Sequence, residues 1–544
     1  MKSLMVAGTC MTLLLFVSGC MNDKEKNQST KSEQVFRKVE SNEVSSIDPS
    51  LAIDSTSQRA VYTVYEGLYR LGEKNELLPA GAVEAPEISA DGLTYKIKLN
   101  TKSIWSDDVP VKASDYVFSW RRTVDPKTTS EGSSMFLPIK NAKKIIAGQL
   151  KPDQLGIRAI GDDQLEITLE EATPYFETLL VNTYFFPQRE DTVERYGESY
   201  GTSDKNTVYN GAFVMKDYEG GGTATSWSYQ KNEKYWDAEN VHLEKIENTV
   251  VKDTGTAVNM YEADEVDEVP INGESVSFYK EHSDFSAELR PNVYYLDLNQ
   301  KSERAHLDNV NLRKAISYSI DRKSIVENIL NNDSLATNSF VPSKLAYSPI
   351  DQTDFTSNQG NSLPFDNEEA SDYWEKFLSE TDLESIEVEL LVTDTESSKK
   401  MAEYIQGQLQ NNLNGMIVTV TAVPYSVMME KEQQDTFDIA LNGWGADYLD
   451  PMSYLNILQS DNFSNYSNYS NKEYDELIDK INASGADPKA RWKLMLEAEK
   501  KISEEVPVVP LFQYTKVYLR RNTVHNVHSM PLGLEFDYKN IEIN

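Results

Sequence analysis

The sequence predicts an α/β protein, and three observations carry that prediction. Residues 387–393 (EVELLVT) and 416–423 (MIVTVTAV) are strand-like runs. They flank a stretch in which Met401, Tyr404, Ile405 and Leu409 fall at helical spacing, so the segment reads as a βαβ unit with a parallel strand pair. Tyr95, Ile97 and Leu99 alternate with polar residues, as do Leu165, Ile167 and Leu169, the period of half-buried strands. Ala60, Val61, Val64, Tyr65 and Leu68 share one helical face, and Leu312, Ala315, Ile316, Ser319 and Ile320 share another. Strands and helices interspersed along the whole chain argue against an all-β fold or a helical bundle.

From the start of the chain, Lys2 precedes an apolar run, Leu4 to Val17, of about 14 residues, short of the roughly 20 needed to span a bilayer. Small residues, Val17-Ser18-Gly19, lead directly into Cys20, which resembles a bacterial lipobox. The expectation is a signal peptide over 1–19, cleaved before Cys20, whose thiol then carries lipid; two acyl chains anchor a protein stably where one does not. Cys10 and Cys20 are the only cysteines, so the processed chain has no thiol left for a disulfide, a metal or catalysis. Residues 20–34 are polar after the cysteine and read as a solvated tether. Ser55 with Gln58 has capping-box spacing for the helix that follows. Gly220-Gly221-Gly222 lies between two strand-like stretches and reads as a hairpin turn. Loop composition marks 201–211, 218–223 and 348–371 as boundaries or surface insertions.

At 544 residues with 39% apolar and 10% aromatic content, the chain has ample material for a large core. Its 53 Lys and Arg stand against 87 Asp and Glu, a net charge of −34. That sign disfavours nucleic acid and anionic membrane surfaces as partners, because both are held by clustered cations.

The catalytic and metal motifs are weak. Gly197-Glu198-Ser199-Tyr200-Gly201 matches G-x-S-x-G, but a nucleophile elbow needs a buried strand before the serine and a helix after it. Here a charged, helix-like stretch precedes Ser199 and a loop follows. His525 and His528 form H-x-x-H without a third evident ligand, and Asp264–Glu268 lacks the residue order of a calcium loop. No enzyme activity, cofactor or metal is therefore expected.

Five segments in order carry a family resemblance. They are Ile47-Asp48-Pro49 with Val64-Tyr65-Glu66-Gly67-Leu68-Tyr69; Trp105-Ser106-Asp107 through Asp115 to Trp120-Arg121-Arg122; Asn210-Gly211-Ala212-Phe213 with Asn232-Glu233-Lys234-Tyr235-Trp236-Asp237; Arg313 to Arg322; and Phe437-Asp438-Ile439-Ala440 with Gly443-Trp444-Gly445-Ala446-Asp447-Tyr448 and Asp450-Pro451. Together they resemble the extracellular solute-binding proteins of ABC importers that take up oligopeptides.

The resemblance implies a two-lobed, periplasmic-binding-protein-like fold in three structural domains, with a hinge and a peptide cleft between the lobes. Domain I would be discontinuous (35–69, 203–297 and 510–544), with domain II at 70–202 and domain III at 298–509. The ligand would be an extended oligopeptide with a free amino terminus, its α-ammonium paired with Asp447. Trp444, Ala446, Tyr448, Asn210 and Gly211 join the implied binding set. Gly443 and Gly445 would offer backbone close to the ligand chain. The partners would be ABC permease subunits, the location the outer face of the cell membrane through lipid at Cys20, and the state a monomer. Two positions depart from the family pattern. Leu441 stands where enterobacterial members place an arginine that fixes the carboxyl end of short peptides, which favours a longer or more apolar ligand. Asp108 replaces a turn glycine. The second expectation within the class is a receptor for apolar signalling peptides, such as Gram-positive sex pheromones. Outside it stand an adhesin or chaperone on the same scaffold and a hydrolase using Ser199.

Overall fold

The computed structural model describes residues 34–544 apart from 73–75, 221, 359–361, 486, 531 and 533. The expected signal peptide, Cys20 and nearly all of the expected tether lie outside the described residues.

The βαβ expectation is met residue by residue. Ile386–Thr393 pairs in parallel with Met416–Val423, Ile386 opposite Met416 and Thr393 opposite Val423, and the helix Glu396–Asn412 crosses between them. Thr395 caps that helix, its hydroxyl accepting from the Ser398 N–H. These strands begin one end of a mixed sheet whose order is 416–423, 386–393, 439–445, 285–298, 508–520, 268–271, 35–40, 245–250, 226–231 and 213–216. Chain neighbours and sheet neighbours differ repeatedly, so the chain crosses between the sheet's two ends.

A second, four-stranded sheet is antiparallel throughout, in the order 87–88, 94–98, 164–168 and 157–159. Tyr95 pairs with Ile167 and Ile97 with Leu165, placing the predicted apolar positions of both strands on one buried face. Glycines 220 and 222 do stand between the paired strands Phe213–Lys216 and Ser226–Lys231.

One expectation shifts by a residue. The helix Ser55–Val64 is capped by Asp54, whose Oδ1 accepts from the Ser57 N–H at 2.8 Å, so Ser55 is its first residue and not its cap. A carboxylate serves this position better than a hydroxyl, since it also meets the helix's positive end.

The buried aromatic and aliphatic residues form two large cores. One gathers Phe36, Trp105, Trp120, Phe136 and Tyr454; the other, Leu296 to Phe512, lies against the parallel end of the large sheet. Polar residues of the sequence motifs tie distant segments together. Arg122 holds Asp48 through two hydrogen bonds of 2.7 and 2.6 Å. Glu66 accepts from Arg70, Tyr235 and the Trp236 indole, joining the first motif to the third. Buried Arg313 has no carboxylate partner among the described residues; it donates to the carbonyls of Leu307, Asp308, Glu505 and Val506, closing the end of the helix Pro488–Glu505. Asp108 takes φ of 72°, the left-handed conformation a turn glycine would supply, and pairs with Lys234 at 2.7 Å.

The hydrolase motif lacks its required frame. Ser199 is exposed and follows a helix, Glu190–Tyr196, where the elbow needs a strand. Among the described residues no three His, Cys, Asp or Glu side chains converge as a metal site, and no helix is long and apolar enough to cross a membrane.

Candidate functional site

The strand Ile439–Gly445 sets the site. Strand alternation sends Ile439 and Leu441 into one core and turns Ala440, Asn442 and Trp444 to the opposite face. On one edge it pairs antiparallel with Phe285–Leu298 over its whole length, from Ile439 opposite Leu298 to Gly445 opposite Asn292. On the other edge, pairing with 386–393 covers only Ile439 and Ala440. From Leu441 to Gly445 that second edge carries no ladder partner among the described residues.

Beyond the strand, a tightly bonded turn positions the next residues. The Ala446 N–H donates to the Pro291 carbonyl at 3.0 Å, and the Asp447 N–H to Ser453 Oγ at 2.8 Å. Trp444 is fixed by its indole N–H on the Ser453 carbonyl at 3.1 Å, while the Tyr454 hydroxyl donates to the Trp444 and Pro291 carbonyls. Asp450 and Arg491 form a buried bidentate pair at 2.7 and 2.8 Å, locking the turn to the helix Pro488–Glu505.

Trp444, Asp447 and Tyr448 all line a cavity of about 800 Å³ between residues 134–179 and residues 444–491. The opposite wall brings Met135, Leu137, Ile139 and Tyr175. Tyr175 stacks on Tyr448 with ring centres 4.2 Å apart and 9° between planes, and Arg491 lies 5.8 Å from the Tyr175 ring. Asp447 has no ion-pair partner among the described residues. It is half-buried in the cavity wall, and burial pushes its carboxyl up to about 7. The Tyr184 phenol, pushed up to about 12 by burial, also feels the Asp447 charge. The site therefore presents a carboxylate without a cation, beside an aromatic pair and an open strand edge.

Of the remaining expected residues, Gly443 and Gly445 lie on the strand's open stretch and Leu441, Asn210 and Gly211 lie away from the cavity. Leu441 is buried in the core, away from the cavity. Gly443 is exposed and Gly445 half-buried; a Cβ on Gly443 would sit 3.1 Å from the Tyr294 ring, and one on Gly445 would sit 2.7 Å from Asn292 Nδ2. Asn210 is buried and bonds both backbone groups of Glu66, at 3.1 and 3.0 Å. Gly211 packs on the end of the helix Ser55–Val64, where a Cβ would meet the Val64 carbonyl carbon at 2.6 Å. Sequence reasoning missed Tyr175, Ser453 and Arg491. Each acts through a partner distant in sequence or across a turn, and only the aromatic character of the Pro174-Tyr175-Phe176 stretch hinted at one of them.

Comparison with known proteins gives the class. The family model "Bacterial extracellular solute-binding proteins, family 5 Middle" matches residues 76–466, and the chain belongs to that family. A dipeptide-binding protein of Lactococcus lactis is 30% identical over 444 residues, covering 80% of each chain. Among solved structures, Listeria monocytogenes OppA bound to peptide is 37% identical with a TM-score of 0.80, covering 94% of this chain and 99% of its own. The pheromone receptor PrgZ is 39% identical with a TM-score of 0.82, covering 94% of this chain and all of its own. The two-lobed α/β fold expected from the motifs is the fold observed.

Proposed function

We propose that the protein captures extended oligopeptides outside the cell and delivers them to an ABC-type importer without catalysing a reaction. The observation that carries this reading is Asp447: a carboxylate with no cation, in the wall of an interlobe cavity, next to an unpaired strand edge. A peptide's ammonium supplies the missing cation, and its main chain can complete the edge by strand addition, which gives affinity irrespective of side chains. Trp444, Tyr448 and Ala446 belong to this site. Lipid on Cys20 would hold a monomeric receptor at the membrane's outer face, beside its permease subunits. The three-domain division is supported by the four-stranded sheet lying wholly within 70–202.

The second reading, a receptor for apolar signalling peptides, is favoured by the apolar side chains of the cavity wall, Met135, Leu137, Ile139 and Leu179, and by the likeness to PrgZ. One experiment addresses both. Small molecules released by acid from purified residues 21–544 are identified by mass spectrometry. Peptides near one per chain are the expected result, and their lengths and side chains separate a general receptor from a dedicated one. An empty protein that also ignores a mixed peptide pool would contradict both. The intact mass of the membrane-extracted form tests the anchor, which requires a diacylglyceryl adduct on Cys20.

A further inference from the structure

On the same face of the strand Ile439–Gly445 as Trp444, one side chain joins two buried acids. Asn442 Nδ2 donates to Asp297 Oδ2 at 2.6 Å and to Glu432 Oε1 at 2.6 Å. Asp297 is 3% exposed and Glu432 is 1% exposed. Neither carboxylate has a Lys, Arg or His partner among the described residues, although nearby Lys431 and Arg304 are paired with Glu389 and Asp438. The second oxygen of Glu432, Oε2, is buried with no hydrogen-bond partner among the described residues. Two buried carboxylates sharing one amide, with a lone oxygen left over, is a costly arrangement unless a cation or protons complete it.

The surroundings suit a cation. Burial pushes Asp297 up to about 8 and Glu432 up to about 7. Tyr295, Tyr425 and Tyr466 are close enough for their phenols to feel these acids, and Glu131 faces Tyr425 as a further negative charge. Aromatic faces around carboxylates favour an ammonium or guanidinium. Tyr425, on the same helix as Glu432, is 65% exposed. Asn442 also sits on the stretch of strand whose edge is unpaired.

We propose that Asp297, Glu432 and Asn442 form a subsite for a Lys or Arg side chain of a peptide lying along this edge. The inference rests on the peptide-binding reading above. Asn442 lies three strand residues, roughly 10 Å at about 3.3 Å each, before Gly445, where the turn to Asp447 begins, so the cationic side chain belongs to a residue from the third onward in an extended peptide. Without such a ligand the pair holds protons; docking the cation expels them, because the ionised pair is stable only when neutralised.

The test uses heptapeptides with free amino termini, in which lysine or its uncharged isostere norleucine occupies each position from three to seven in turn. Calorimetry in two buffers of different ionisation enthalpy gives affinity and proton release together. The expected result is tenfold or tighter binding of lysine over norleucine at one of these positions, with more protons released by the lysine peptide than by its norleucine counterpart. In Asp297→Asn/Glu432→Gln the lysine-to-norleucine ratio should fall to near one and the extra proton release of the lysine peptide should vanish. Equal affinities at every position in the unmodified protein would overturn the subsite, as would a lysine preference that survives in the double variant. The proton measurement needs no variant, so it decides even if the variant does not fold. Tight binding of all peptides without lysine preference leaves the peptide-binding reading intact and removes only the subsite. Failure of every peptide to bind would overturn both.

Discussion

Asp447 is a carboxyl whose proton affinity is set by where the chain puts it. Burial holds it at about 7, well above an unperturbed aspartate near 3.9. A raised acid pKa means that the unfolded chain loses this proton first as pH rises. Asp447 therefore subtracts stability from the empty protein progressively between about pH 4 and 7, and the full cost remains above 7. A docked ammonium reverses the sign of that cost. Affinity for a free amino terminus should accordingly fall as pH drops through 7, by up to tenfold per unit, and decline again above about 8 as the peptide's own ammonium deprotonates. Titration of one peptide from pH 5 to 9 checks this, and a flat low-pH limb would remove Asp447 from the role. Asp450 and Arg491, three residues away and on the neighbouring helix, form a pair whose disruption leaves a buried charge alone. Arg491→Met should cost about 3–5 kcal/mol in urea denaturation, more than replacing both partners together.

The Ile439–Gly445 strand shows how much of the site was legible before the structure. Its segment was marked by the Gly443–Tyr448 run, and the βαβ unit beside it was readable from β-branched runs around a helical period. Period alone could not show that the neighbouring strand stops pairing after Ala440, because register is a property of two segments at once. The glycines illustrate the same limit. Gly443 and Gly445 read as backbone offered to a ligand, and only the structure shows that the cross-strand side chains of Tyr294 and Asn292 also lie against them. Leu441 likewise has its orientation fixed by alternation, into the core. Asn210 and Gly211, marked by motif, serve the packing of Glu66 and the helix Ser55–Val64. The buried acids Asp297 and Glu432 were invisible among 87 acidic residues, since nothing local distinguishes a carboxylate that will lack a partner.

At the scale of the molecule, the cavity is closed over by contacts between segments far apart in sequence. Tyr175 stacks on Tyr448, and Gly485 packs against the Ala172 backbone, where a side chain would collide. Contacts of this kind are made only when the two walls of the cavity are together, so they set the balance between open and closed forms. Tyr175→Ala should shift the ligand-free protein toward the open form, seen as a larger radius of gyration in solution scattering, while saturating peptide should restore the compact value. An unchanged radius in the variant would mean that the stack does not hold the walls together. The central claim is that a peptide's amino terminus is read by one carboxylate. It is tested most directly by calorimetric affinities of one peptide, free and N-acetylated, for the unmodified protein and for Asp447→Asn. The prediction is a loss of about 2–5 kcal/mol for the free peptide in the variant and a far smaller change for the acetylated one. Equal losses for both peptides would contradict it.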